Sequence, residues 1–160
     1  MIGIVSTATT GRHQGSSGKL KRKFRGSKTV GRSRTGLVLV LDDDTSLCRS
    51  LRRLLSANNF QVKTFERPSE LIASDIPRSN ACMVIDINLP EMNGVQMCEM
   101  LRESGRALPT ILITARTDAG VRTLVANSDA VAMLFKPFAE EELLDAIRRA
   151  LALSTGRSGE

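Results

Sequence analysis

ACMVIDINLPEMNG, residues 81–94, is the stretch around which the rest of the chain arranges itself. Its first five residues, Ala81 to Ile85, form an unbroken apolar run, too short for a helix and suited to a strand buried on both faces. The run stops on a carboxylate, Asp86. Asn88, Pro90, Asn93 and Gly94 follow, residues of loops and turns. An acid at the end of a buried strand sits on the rim of the sheet, where open α/β sheets hold their ligands. A lone Asp there is more simply a cap or the start of a turn. Its companions along the chain change that reading.

Upstream, Leu37 to Leu41 is a second continuous apolar run, ending in Asp42-Asp43-Asp44. Thr45 or Asp44 can cap a helix with Leu47, Leu51, Leu54 and Leu55 on one face, which Asn58-Asn59 close. A short strand is expected over Phe60 to Phe65, and a brief helix after Pro68-Ser69, from Glu70 to Ala73. Downstream, Gly94 opens a helix with Val95, Cys98 and Leu101 inward, ending near Gly105. Thr110 to Ile113 is a fourth strand, running out on Thr114-Ala115. A helix over about Ala119 to Ala126 groups Val121, Leu124 and Val125. A fifth strand, Val131 to Phe135, meets Lys136-Pro137. The last helix starts at Glu140-Glu141-Glu142 and is expected to finish by Leu153, with Arg148-Arg149 matching its dipole. Its apolar face is Leu143, Ile147 and Leu151.

Five strands thus alternate with five helices, each connection long enough for a parallel crossover. The expectation is an α/β fold: a doubly wound, five-stranded parallel sheet covered on both faces, in strand order 2-1-3-4-5. In that order the strand ends Asp42-Asp43, Asp86, Thr114 and Lys136 all fall on one rim, with the first and third strands adjacent. Three carboxylates held together repel one another unless something positive lies between them. A hard divalent cation fits, Mg2+ especially if a phosphate completes its octahedron. An Asp can also attack phosphorus and form an aspartyl-phosphate. A Thr hydroxyl and a Lys ammonium are the donors wanted on phosphoryl oxygens.

LVLVLDDD at 37–44, MVIDINLPEMNG at 83–94, ILITA at 111–115 and FKPF at 135–138 together resemble the receiver domain of bacterial two-component response regulators. The resemblance spans about residues 37–153 and implies a flavodoxin-like, three-layer fold. It implies that Asp86 is the phosphoacceptor, Thr114 the switch hydroxyl and Lys136 the phosphate-binding lysine. Asp42 and Asp43 match the acidic pair that holds Mg2+ with Asp86 and the backbone carbonyl of Asn88; Asp43 is the more direct ligand. The implied partners are a histidine kinase or phosphotransfer protein and a downstream protein target, in the cytoplasm. The chain would be no conventional enzyme, catalysing only Mg2+-dependent phosphoryl transfer to its own Asp86 and its hydrolysis. With no effector domain after residue 153, a stand-alone receiver is expected. The Lys136–Pro137 bond is cis in many relatives. Two departures fall on the side the family uses for output: Met133 replaces the usual aromatic, and Asp129 stands where Gly is common.

Other chemistries fit less well. A haloacid-dehalogenase-type phosphatase needs a second acid two residues after its Asp nucleophile, and here that residue is Asn88. A flavin phosphate would be repelled by the rim carboxylates, and with aromatics at 3% and no Trp or Tyr, little is present to sandwich a ring. Apolar residues at 41% and charged residues at 25% fit a soluble globular protein, and no apolar run approaches a membrane span. Met1 to Thr10 make a poor signal peptide. Cys48, Cys82 and Cys98 match no zinc spacing and read as core thiols of a reducing compartment.

The net charge of +6 conceals two materials. Nine of the 23 Lys and Arg residues lie in residues 1–36, with none of the 17 acids, so the remainder carries about −3. Residues 1–36 lack an apolar period and are expected to be a basic, disordered extension. Its readings are a solvated tail, a transit-like leader, or a contact to nucleic-acid or membrane phosphates. The last makes a receiver-regulated nucleic-acid-binding protein the alternative function. Residues 154–160 are expected to be a flexible C-terminal tail.

Overall fold

The computed structural model describes residues 35–156. The basic extension therefore lies, apart from Thr35 and Gly36, outside the described residues. Ten elements follow in strict alternation: β1 (Leu37–Leu41), α1 (Thr45–Ala57), β2 (Gln61–Phe65), α2 (Pro68–Ala73), β3 (Ala81–Asp86), α3 (Gly94–Glu103), β4 (Thr110–Thr114), α4 (Ala119–Ala126), β5 (Ala132–Phe135) and α5 (Glu140–Gly156). All strand pairs are parallel, in the order β2-β1-β3-β4-β5. This is the expected doubly wound sheet.

Side-chain alternation sorts the core into two layers. Val38, Val40, Cys82, Val84, Ile111 and Ile113 face α1 and α5. Leu39, Leu41, Met83, Ile85 and Leu112 face the other way, toward Leu71 of α2, Val95, Met97 and Leu101 of α3, and Val121 of α4. Every residue of β3 is buried, because β3 is the middle strand and is covered on both sides.

Caps hold the helices that rise from the functional rim. Asp44, rather than Thr45, caps α1, its carboxylate accepting from the amides of Ser46 and Leu47. Asn93 caps α3 in a reciprocal box with Gln96. Asp118 caps α4 through the Val121 amide.

Four local expectations are corrected. Met97 is fully buried and Cys98 packs partly buried against the same core layer, so α3 buries a wider stripe than Val95, Cys98 and Leu101 alone. Leu124 is 38% exposed, since α4 lies beside the edge strand β5 and keeps only Val121 buried. The strand expected from Phe60 begins at Gln61; Phe60 turns into the core, its amide donating to Leu55 O. Finally, α5 continues to Gly156 instead of stopping at Leu153, so residues 154–156 of the expected tail are helical, and residues 157–160 lie outside the described residues. Ser154 is buried and its Oγ accepts from the Ala81 amide at 3.2 Å, a tie from the last helix to the start of β3. Arg148 and Arg149 consequently sit well inside α5, where Arg148 pairs with Asp145 at 3.1 Å and neither complements the helix end.

Candidate functional site

Ladder register brings the strand ends together. Leu41 pairs with Ile85, so Asp42 and Asp86, one residue further on, project side by side from β1 and β3. Asp86 pairs with Ile113, and Thr114 with Phe135, so Thr114 and Lys136 follow on the same rim. All four sequence-derived strand-end groups converge there.

One carboxylate oxygen from each of Asp42, Asp43 and Asp86 lies within 4.8 Å of the other two. Asp42 is fully buried, Asp86 nearly so, and Asp43 is exposed at the mouth. Lys136 Nζ reaches across the sheet to donate to Asp42 Oδ2 at 2.7 Å and Asp86 Oδ2 at 3.1 Å. The other oxygens are held too: Asp42 Oδ1 accepts from the Asp44 amide, and Asp86 Oδ1 from the Asn88 amide at 3.0 Å. Thr114 is fully buried; its Oγ1 accepts from the Arg116 amide at 3.1 Å and from Asn88 Nδ2 at 3.4 Å. Lys136–Pro137 is cis.

Burial pushes the Asp42 carboxyl above the usual carboxylate range, and the charge of Asp86 adds to the rise. Hydrogen bonds from Lys136 and the Asp44 amide only partly offset this. Burial also works against the Lys136 ammonium, yet its hydrogen bonds to Asp42 and Asp86, with their charges, outweigh that and raise its pKa above that of a free lysine. Three carboxylates face one ammonium, an excess of two negative charges when all three acids are ionised. Two buried acids, one exposed acid and that charge excess suit a hard divalent cation with open positions toward solvent.

Three further residues belong to this site: Gly94, expected only to open a helix, Cys48, expected only as a core thiol, and Arg116, which had no expected role. A Cβ on Gly94 would stand 2.6 Å from the Asp86 carbonyl oxygen, so only glycine lets α3 start against the end of β3. Cys48 Sγ lies 3.3 Å from the Asp42 carbonyl oxygen, to which it donates. Burial pushes the Cys48 thiol up to about 11, and the nearby carboxylates add to this, so it stays a protonated donor. Arg116 pairs with Asp118 at 2.8 Å beside Thr114. Gly94 is legible as a turn residue that opens a helix, whereas no sequence pattern signals the contacts of Cys48 and Arg116. Of the two departures, Met133 is half-buried against the core layer that holds Val121 and Val125 of α4, and Asp129 is exposed and pairs with Arg102. Cys48 and Cys82 are buried, Cys98 half-buried, and all three are free thiols.

The family model of the response regulator receiver domain matches residues 38–148. Among similar proteins, the transcriptional regulatory protein TdiR of Thauera aromatica is 35% identical over 117 residues, covering 73% of this chain and 52% of that protein. The response regulator MprA of Mycolicibacterium vanbaalenii is 38% identical over 125 residues, covering 76% and 53%. The chain thus spans about half the length of these curated relatives. Among solved structures, the response regulator StyR is 36% identical with a TM-score of 0.70, over 78% of this chain and 63% of that one. FixJ-N is 28% identical with a TM-score of 0.68, over 75% and 96%.

Proposed function

The chain belongs to the response regulator receiver domain family, and from that premise we propose that it accepts a phosphoryl group on Asp86 in a two-component phosphorelay. The observation that carries this reading is the Lys136 ammonium shared between buried Asp42 and Asp86, inside a cluster of three carboxylates. Asp42, Asp43, Asp86 and the backbone carbonyl of Asn88 would hold Mg2+, which when bound neutralises the acids and the phosphoryl oxygens.

The residues of the chain do the rest. An Asp86 carboxylate oxygen attacks phosphorus as the bond from phosphorus to the donor breaks. The donor is a phosphohistidine of a histidine kinase or phosphotransfer protein, whose imidazole departs. Lys136 is placed to follow the phosphoryl oxygens, since it already bonds the attacking group. Thr114 offers its hydroxyl proton to the same oxygens; its present bonds use Oγ1 only as an acceptor. Hydrolysis reverses the attachment: water attacks phosphorus, the Asp86–phosphorus bond breaks, and carboxylate and inorganic phosphate remain. The output is an altered surface for a downstream protein, and no metabolite is released. Three unpaired cysteines suit the reducing cytoplasm; among the described residues no helix is long and apolar enough to cross a membrane.

The test is intact-mass measurement after incubation with acetyl phosphate. Wild type should gain one phosphoryl group with Mg2+ and none with a chelator, and Asp86→Asn should gain none. Equal labelling of wild type and Asp86→Asn would remove Asp86 as the acceptor. A second reading is favoured by the nine basic residues and absence of acids in residues 1–36: nucleic-acid binding controlled by the receiver. Its mark would be salt-sensitive DNA or RNA binding that deletion of residues 1–34 abolishes.

A further inference from the structure

At the end of the sheet away from the carboxylates, a cavity of about 480 Å3 opens between α3, the start of β4 and residues 127–131. That volume falls within the ~300–1,000 Å3 of small-molecule sites. One part of its wall is apolar, with Met83, Val95, Leu108, Leu112 and Val131, and Thr110, Asn127 and Ser128 add uncharged polar groups. Cys98 lines the same cavity, and burial pushes its thiol up to about 11, so it adds no charge at neutral pH. Leu153, 56% exposed, adds a further apolar side chain to the lining.

The charged groups of the lining are few. Arg102 pairs with Asp129 at 2.6 Å, and both side chains are more than half exposed. Glu99, the third charged residue, is exposed and makes no ion pair among the described residues. Two acids against one base leave the lining negative. An anionic ligand would have to compete with Asp129 for Arg102 and would meet Glu99 as well. A cationic ligand would use Glu99 and leave the Arg102–Asp129 pair intact. Charge therefore selects one sign.

We propose that this cavity is a binding site for a small apolar molecule carrying a single cationic head group, its body against Val95, Leu108, Leu112 and Val131 and its head toward Glu99. The site is separate from the carboxylate cluster, yet both meet β4: Thr110 and Leu112 line the cavity, and Thr114 ends the same strand at the rim.

Phenethylamine and phenylacetate, matched in body and opposite in charge, test this on the full chain by nitrogen–proton correlation NMR. Phenethylamine should give saturable shifts at the amides of Leu108, Thr110 and 128–131, and phenylacetate should bind several-fold more weakly. Glu99→Gln, at an exposed position, should weaken phenethylamine binding and narrow the gap between the two probes. Ala107→Leu, which fills part of the cavity, should reduce the shifts of both. Should Ala107→Leu fail to fold, Glu99→Gln still decides the charge assignment. Absence of saturable shifts at these amides, shifts confined to the carboxylate rim, or equal affinity for both probes would overturn the proposal.

Discussion

Gly94 is the residue at which fold and site constrain one another most tightly. Its amide donates to Ile87 O at 2.9 Å, and a Cβ there would lie 2.6 Å from Asp86 O and 3.0 Å from Ile85 Cγ2. The first of these neighbours is backbone in a fully buried strand, so it cannot move aside cheaply. Gly94→Ala should cost about 1–3 kcal/mol, the usual cost of overpacking, and should displace Asp86 enough to slow phosphorylation by acetyl phosphate. Gly105→Ala is the control. Gly105 has φ +72°, and a Cβ added there would meet nothing within 4 Å, so alanine costs only backbone strain, about 1 kcal/mol. Denaturant melts should register both substitutions, while labelling rates should fall for Gly94→Ala alone. Equal labelling rates for the two variants would show that the contact serves packing only.

Among the elements, what the sequence disclosed depended on where the relevant physics acts. The strands were legible because a parallel strand buried on both faces has to be an apolar run, and each run ends on a polar residue that the rim requires. Most helix starts fell near their expected places for a related reason, that caps act locally: Asp44, one of the two caps expected for α1, and Asn93 and Asp118, which the structure adds, satisfy amides within three residues of themselves. The end of α1 at Asn58, the span of α4 and the apolar faces of α1 and α5 were legible too, whereas the end of α5 and the full buried faces of α3 and α4 were not. The last turn of α5 carries Ser154, which meets the Ala81 amide 73 residues away in the chain, and Met97 joins a core layer whose other members come from distant parts of the chain. The same contrast makes α4 sensitive to acid. The hydrogen bond from Arg116, then that from the Val121 amide, hold the Asp118 carboxyl below its usual range. A carboxyl depressed by folding adds stability that is complete above its unfolded pKa, about 3.9, and is lost as pH falls through the lower folded value. Between pH 6 and about pH 4 the amides at the start of α4 should stay protected. Below that they should lose protection before those of α3, whose cap Asn93 does not titrate, as followed by hydrogen exchange, and Asp118→Ala should show the loss already at neutral pH.

For the whole molecule, the question is where the cooperative unit begins and ends. The described core closes at its start through Thr35, whose amide donates to Asn59 O, and Leu37, whose amide donates to Asn80 O. It closes at its end through Ser154. Deletion of residues 1–34 leaves all three ties in place, so we predict a melting temperature within about 2 °C of the full chain, the range of surface changes below ~0.5 kcal/mol. Ending the chain after Leu153 is different. It removes Ser154, leaves the buried Ala81 amide at the head of β3 without its acceptor, and costs about 1–3 kcal/mol for an unsatisfied buried donor. In a domain of this size that corresponds to a drop of several degrees. Two truncations thus separate the two termini, the longer one nearly silent and the shorter one destabilising. Calorimetry on both decides it. A large fall on removing residues 1–34 would place part of the basic segment in the cooperative unit, and no fall after cutting at Leu153 would show that water replaces Ser154 at Ala81. Because β3 carries Asp86 at its other end, the C-terminal cut should also lower the yield of phosphorylated protein near the melting range, while leaving it unchanged well below.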